Sequence, residues 1–202
     1  MVEHSRYSVS EKDAGIQDGL LKNKLNISDQ KMLDDAETIL LSDAYDHFFG
    51  LLEKDIITFN VSFLFSIHEY FLGTLYEWAG SLRTVDISKD DMLFAPVKHL
   101  KSSLKSFEKL LVESIPVSTD SKKQISQKLA IIHNEFNALH PFREGNGRTI
   151  RLFLDLLSVH CGYQPINWKK KDQKTYLNAC KKGMSQEHVE MAKLIYLGLI
   201  KR

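Results

Sequence analysis

Residues 140–151 read His140-Pro141-Phe142-Arg143-Glu144-Gly145-Asn146-Gly147-Arg148-Thr149-Ile150-Arg151. A proton acceptor, a carboxylate, a glycine-rich turn and two arginines thus fall within one short run. Such a set can hold a nucleotide polyphosphate and deprotonate a group beside it. Gly145 and Gly147 can adopt positive φ, and turns of that kind aim successive backbone N–H groups into an anion-binding concavity. Arg148 and Arg151 are three apart and share a helix face. Cations in a first helical turn oppose the dipole, and like charges at this spacing repel, at about a few tenths of a kcal/mol. A bound polyanion turns both penalties into attraction, and the planar guanidinium suits phosphate oxygens. Glu144 is out of place in so basic a turn until a divalent cation is added. Magnesium takes one or two carboxylates plus substrate phosphates.

His140 admits two readings. An isolated histidine at a helix C-terminus caps the last carbonyls, which favours its charged form. Beside a phosphate site the general-base reading is stronger. A base must be neutral, and a reference pKa of about 6.5 leaves most histidine neutral near pH 7. Taken two residues at a time, the run describes only a glycine-terminated helix, a polar turn and solvated arginines. Taken whole, it describes a site.

The elements around the run must position it. Apolar residues at 125, 129, 132, 136 and 139 have helical spacing, and Pro141 opposes continuation past His140. A second helix is expected from about Gly147, through Ile150, Leu152, Phe153, Leu154, Leu156 and Leu157. Its N-terminus would add partial positive charge at the turn. Further helical patterns cover 30–53, 61–79, 97–114, 121–139, 172–182 and 186–200, with Asp120-Ser121 and Ser185 as N-cap signals. Residues 83–87 and 92–95 read as short strands of a hairpin with a four-residue loop, 88–91. Such a hairpin must pack on the helices, and its free edge could pair with an extended segment of another protein. Residues 1–28 lack clear periodicity and either wrap the core or fray. Residues 29–202 read as one domain.

Composition agrees with a globular enzyme. The chain has 202 residues, 43% hydrophobic, enough for one proper core. A net charge of +1 gives no nucleic-acid footprint, and Lys169-Lys170-Lys171 reads as a solvated helix approach. Cys161 and Cys180 read as reduced core thiols. No apolar run approaches membrane-spanning length and no secretory signal is evident, so a cytoplasmic chain is expected.

The 140–151 run matches, at every position, the signature His-x-Phe-x-(Asp/Glu)-Gly-Asn-Gly-Arg-x-x-Arg, and the chain resembles the Fic family from about Leu21 to Lys182. Residues 21–27 are similar to the lead-in of many bacterial Fic toxins. Trp78-Ala79-Gly80, followed by Arg83-Thr84-Val85-Asp86-Ile87-Ser88-Lys89, is similar to the Fic flap that registers a target side chain. The resemblance implies an all-α helical bundle with a small β-hairpin flap, transferring AMP from ATP to a hydroxyl of a target protein. It implies His140 as base and Phe142 as the loop's anchor in the core. It gives Glu144 as magnesium ligand, and Arg143, Gly145, Asn146 and Gly147 as the phosphate turn. Arg148 and Arg151 would hold the β- and γ-phosphates, with Tyr176 and Leu177 near the adenine. Intact Gly147 argues against the kinase-like members, which carry lysine there. A Fic variant with another nucleotide donor, or a non-catalytic helical interaction module, is the alternative. Many Fic proteins carry an inhibitory Ser/Thr-x-x-x-Glu-Gly/Asn helix. None of the twelve glutamates here has serine or threonine four residues before it. The resemblance therefore implies an unrestrained enzyme, or a small antitoxin that supplies a glutamate to Arg151.

Overall fold

The computed structural model describes residues 8–9, 15–17, 19–89 and 92–202, with residues 8, 9 and 17 in backbone only. Among them run seven helices: α1 (Gln30–Glu53), α2 (Val61–Leu72), α3 (Leu100–Ser114), α4 (Lys122–Leu139), α5 (Asn146–His160), α6 (Gln173–Gly183) and α7 (Val189–Gly198). Local chemistry sets several of their starts. The side chains of Asp29, Asn60 and Asp172 each accept from a backbone N–H in the first turn. Ser121 and Gln124 form a reciprocal capping box on α4.

The pattern over 61–79 predicts a longer helix than the one found. It ends at Leu72 with Gly73 as its C-cap, and past that end the carbonyls of Gly73 and Leu75 accept from the Lys24 side chain and backbone, respectively. Residues 97–99 form a 3-10 turn after Pro96, and the α-helix proper starts at Leu100.

The core is organised around α5, which is buried nearly all round and packs against α1, α2 and α4. A helix with no solvent face is a central one. The apolar face of α4 (Ile125, Leu129, Ile132, Phe136, Leu139) closes on it, while α3, α6 and α7 pack on α4. Each such side chain contributes about 1.5–3 kcal/mol when fully buried. The turn between α4 and α5 is thereby held at the centre of the molecule. Cys161 and Cys180 are buried free thiols, and no helix among the described residues is long and apolar enough to cross a membrane.

The hairpin exists but differs from its sequence reading. Its strands are β4 (Ile87–Lys89) and β5 (Met92–Leu93), antiparallel, with Ser88 opposite Leu93 and Lys89 opposite Met92. Ser88 and Lys89 are therefore strand residues, and the connection is residues 90–91, outside the described ones. Residues 83–86 do not pair, because Arg83 turns inward. Buried in its own loop, it donates to the carbonyls of His140 (2.8 Å), Val85 (2.9 Å) and Ala95, while its N–H goes to Pro141 O (2.9 Å). The outer edge of β4 is not free. Strand β1 (Ser8–Val9) pairs with it antiparallel, Ser8 opposite Ser88 and Val9 opposite Ile87. Strands β2 (Ile16–Gln17) and β3 (Leu20–Leu21) form a second small ribbon, and buried Leu20 and the Asn23 clamp on Ile27 fix the lead-in to the core. The described part of the first 28 residues thus wraps the core.

Candidate active site

The surroundings of His140 set its chemistry. It ends α4 in the left-handed region, at φ 46° and ψ 60°, which a non-glycine residue holds only when its surroundings over-determine it. Here they do. Its carbonyl accepts from Arg83 Nε at 2.8 Å, its ring stacks on Phe94 at 3.7 Å, and its Nδ1 lies 3.0 Å from the Asn137 carbonyl. A carbonyl only accepts, so Nδ1 carries the proton and Nε2 the basic lone pair. Burial, the largest influence, pushes the imidazole down to about 3, with Arg83 and Lys89 acting in the same direction. The ring is neutral at physiological pH, and its Nδ1–H caps the Asn137 carbonyl of the last turn of α4 while Nε2 keeps the lone pair.

The turn that follows is built by backbone clamps. The Asn146 amide accepts from Phe142 N–H (2.9 Å) and donates to Phe142 O (2.8 Å), so its side chain is committed to closing the loop. Phe142 is fully buried, stacked on His68 at 3.7 Å with Phe65 edge-on at 4.9 Å. Gly145 has φ 81° as the N-cap of α5, and a Cβ there would meet Leu72 at 2.7 Å. Both conditions demand glycine. Buried Glu144 accepts from Gly145 N–H at 2.9 Å, and Arg143 is also buried.

The arginines emerge from the first turn of α5 onto one face. Arg148 meets Glu37 at 2.5 Å and Glu144 at 3.5 Å, above the Phe71 ring. Glu37 is buried in α1 and also accepts from Tyr76 Oη at 2.6 Å. Arg151 donates to Tyr176 Oη at 3.3 Å, and among the described residues it pairs with no carboxylate. Tyr176 also meets His133 Nε2 at 2.9 Å. Burial pushes His133 down to about 4. One turn further along α5, buried Asp155 accepts from Tyr45 Oη (2.7 Å), Trp168 Nε1 (2.9 Å) and Ile166 N–H (3.0 Å). Its carboxyl is pushed up to about 6, chiefly by burial, against those hydrogen bonds and Arg151.

The structure thus gathers His140, Phe142, Arg143, Glu144, Gly145, Asn146, Gly147, Arg148 and Arg151 into one turn and helix start, with Tyr176 at Arg151. Leu177 is half-buried on α6. Of the hairpin residues, Ile87 packs inward with Met92 and Phe94, whereas Thr84 and Asp86 are exposed. Sequence reasoning missed Glu37, His68, Phe94 and Asp155. Asp155 and His68 carried a signal, each as a polar residue within an apolar helical run.

A helical bundle whose central helix begins at this turn, with a hairpin at its histidine, defines a class of helical domain. The chain belongs to the Fic/DOC family, which residues 58–158 match. Among its relatives is the protein adenylyltransferase VbhT of Bartonella schoenbuchensis, 35% identical over 80% of this chain and 33% of that protein. This chain therefore spans about one third of VbhT. It covers 88% of the probable protein adenylyltransferase y4lH of Sinorhizobium fredii, at 29% identity over 86% of this chain. The fold is that of BepC, a VirB-translocated effector of Bartonella tribocorum solved with bound AMPPNP. The TM-score is 0.73 at 22% identity, over 90% of this chain and 93% of that one.

Proposed function

We propose that this chain is a protein adenylyltransferase, which moves AMP from ATP to a serine, threonine or tyrosine hydroxyl of a protein substrate. The observation that carries the reading is the tautomer of His140. Nδ1–H is committed to Asn137 O, so the lone pair sits on Nε2, at the mouth of a turn that ends in two arginines. The names of the relatives support the same reaction.

In that reaction the hydroxyl oxygen attacks the α-phosphorus and its proton passes to His140 Nε2. The bond to the bridging oxygen breaks, and pyrophosphate departs on the side of Arg148 and Arg151. The incoming polyphosphate carries negative charge toward the imidazole, which raises its proton affinity from the low value that burial sets. Positioning and charge neutralisation supply most of the acceleration.

Among the described residues no cluster of three or more His, Cys, Asp or Glu side chains could hold a metal alone. One buried carboxylate beside a phosphate turn fits magnesium carried in by the nucleotide, with Glu144 as its protein ligand. Bound there, the ion would neutralise phosphate charge.

The test is incubation with α-labelled ATP and a cell lysate. Label should enter protein, and His140→Ala should cut transfer by ~10²–10⁴-fold while ATP affinity stays. An excess of GTP, CTP or UTP that removes the label would reassign the donor. Equal loss of ATP binding would return His140 to a structural cap.

Regulation by a partner belongs to the same reading. Arg151 meets no carboxylate among the described residues, whereas Arg148 already has Glu37. A small antitoxin that presents a glutamate to Arg151 would displace the γ-phosphate. Expression of the chain alone should then arrest growth in a His140-dependent way, and co-expression of a neighbouring frame encoding Ser/Thr-x-x-x-Glu-Gly/Asn should restore it. Normal growth with an active enzyme would remove the partner and leave the reaction.

A further inference from the structure

The floor under the signature turn is a histidine outside the motif. His68 lies on α2, fully buried, and both ring nitrogens are engaged by backbone groups. Gly80 N–H donates to Nδ1 at 2.9 Å, so Nδ1 is the acceptor and the ring proton is on Nε2. Nε2 lies 2.9 Å from the carbonyl of Glu144 and donates to it. The ring also stacks on Phe142 at 3.7 Å, with 9° between the planes. His68 therefore grips the turn at two points, the Phe142 ring and the Glu144 carbonyl, and is oriented by a third at the foot of the hairpin.

The Glu144 carbonyl matters because of what lies across the peptide. The bond between residues 144 and 145 is planar and trans, so its C=O and N–H point in opposite directions. Holding the carbonyl down onto α2 turns the Gly145 N–H up, toward the carboxylate side chain of Glu144, which it meets at 2.9 Å. Gly145 is the N-cap of α5, with φ 81°, and glycine passes readily between backbone wells. Nothing intrinsic to Gly145 fixes which way that amide faces. The α2 side chains supply the constraint: Leu72 packs where a Cβ would be, at 2.7 Å, and His68 takes the carbonyl.

We infer that His68 is a positioning residue for the nucleotide site, whose Nε2–H sets the Glu144–Gly145 peptide so that the Gly145 amide and the Glu144 carboxylate face the phosphates. The inference rests on the adenylyl-transfer reading for what the site binds, and on the geometry alone for what the histidine does. Ring packing without the hydrogen bond would stabilise the loop but leave the peptide free to turn over. The two contributions separate by substitution.

A glutamine carboxamide at 68 reaches about as far as Nε2 and can donate to the Glu144 carbonyl. An asparagine carboxamide reaches about as far as Nδ1 and can serve only Gly80. Phenylalanine keeps the stack and donates nothing. His68→Asn and His68→Phe should weaken MgATP binding by ~10–100-fold, the scale on which supporting hydrogen bonds act at such sites. His68→Gln should stay close to wild type. In the nucleotide-free protein, amide hydrogen exchange at Gly145 should quicken in the Asn and Phe variants and not in Gln, whatever the thermal midpoints do. Equal losses in Gln and Asn, or wild-type affinity and exchange in Asn and Phe, would make His68 a packing residue and overturn the inference. The exchange measurement needs no transfer, so a wild-type protein that fails to modify any target would sink the reaction and leave this test standing.

Discussion

Acid should unfold this protein early, and the buried histidines say by how much. Burial, the first cause in each case, lowers His68 and His133 to about 4 and His140 to about 3. The unfolded reference is about 6.5. A group whose folded pKa is depressed in this way stays neutral in the fold while the unfolded chain takes up a proton. Its contribution is fully present above the unfolded value and is lost as pH falls from about 6.5 toward 4. Between pH 7 and 5 each imidazole removes about 2 kcal/mol of stability. Asp155 acts in the opposite direction. Its folded pKa is raised to about 6, so the fold binds a proton before the unfolded chain does. It returns about 1 kcal/mol over the same window. The net loss is roughly 4–5 kcal/mol, a large share of the roughly 5–15 kcal/mol that holds a domain together. The melting midpoint should fall by roughly 10–15 °C. Urea titrations at pH 7 and 5, with imidazole resonances followed by NMR, check the total and its origin. A urea midpoint that is unchanged or higher at pH 5 would refute the buried neutral triad, and a titration of any of the three rings above pH 5 would say which one.

Three further outcomes are expected. Glu144→Ala should weaken MgATP binding and leave low transfer that excess magnesium only partly restores, and wild-type transfer in the presence of a chelator would remove its metal role. Gly183→Ala should destabilise the fold by about 1–3 kcal/mol, because the new Cβ would sit 2.3 Å from Asn134 Cγ. Adding Asn134→Ala should recover part of that loss in urea titrations, and strict additivity would show that the two sites do not touch. Arg83→Lys cannot fork to the carbonyls of His140, Val85 and Ala95 together. Target modification should fall more than MgATP affinity in steady-state assays, whereas an equal loss of both would mean a wider collapse of the turn.

Much of this was legible in the chain because local chemistry and apolar spacing agree. The run of α5 reads as a helix, but its polar stripe of Arg148, Arg151, Asp155 and Ser158 would ordinarily face water, so its central position was not legible. Gly145 announces the turn, whereas Gly147 lies within α5 without positive φ. The N-cap signal at Ser121 announces α4, whereas α7 starts only at Val189, past Ser185. Most of what could not be read depends on partners distant in sequence. Arg83 looks like the first residue of an alternating strand, and only the carbonyls of the signature loop draw it inward, which shifts the pairing to 87–89. Glu37 sits in an ordinary helical pattern, and a search keyed to serine or threonine four residues earlier passes over it. Its contact with Arg148 comes from how α1 lies on α5. Asn146 belongs to the signature, but its amide serves the loop, a division of labour that spacing cannot encode. His68 reads as one polar residue in the apolar face of α2, and its two backbone partners lie 12 and 76 positions away.

The pairing of β1 with β4 sets a threshold on what else can use that edge. A strand carried by the same chain competes at an effective concentration on the order of millimolar, whatever the protein concentration. Any foreign segment laid along β4 must first displace Ser8–Val9. Among the described residues the resident pairing spans two residues, and a longer segment gains backbone bonds at each further register position. Passing encounters with unrelated extended peptides are then screened out by mass action, while a partner able to pair over a longer run pays the displacement once and stays. Selectivity at this edge becomes a matter of pairing length as well as side-chain fit.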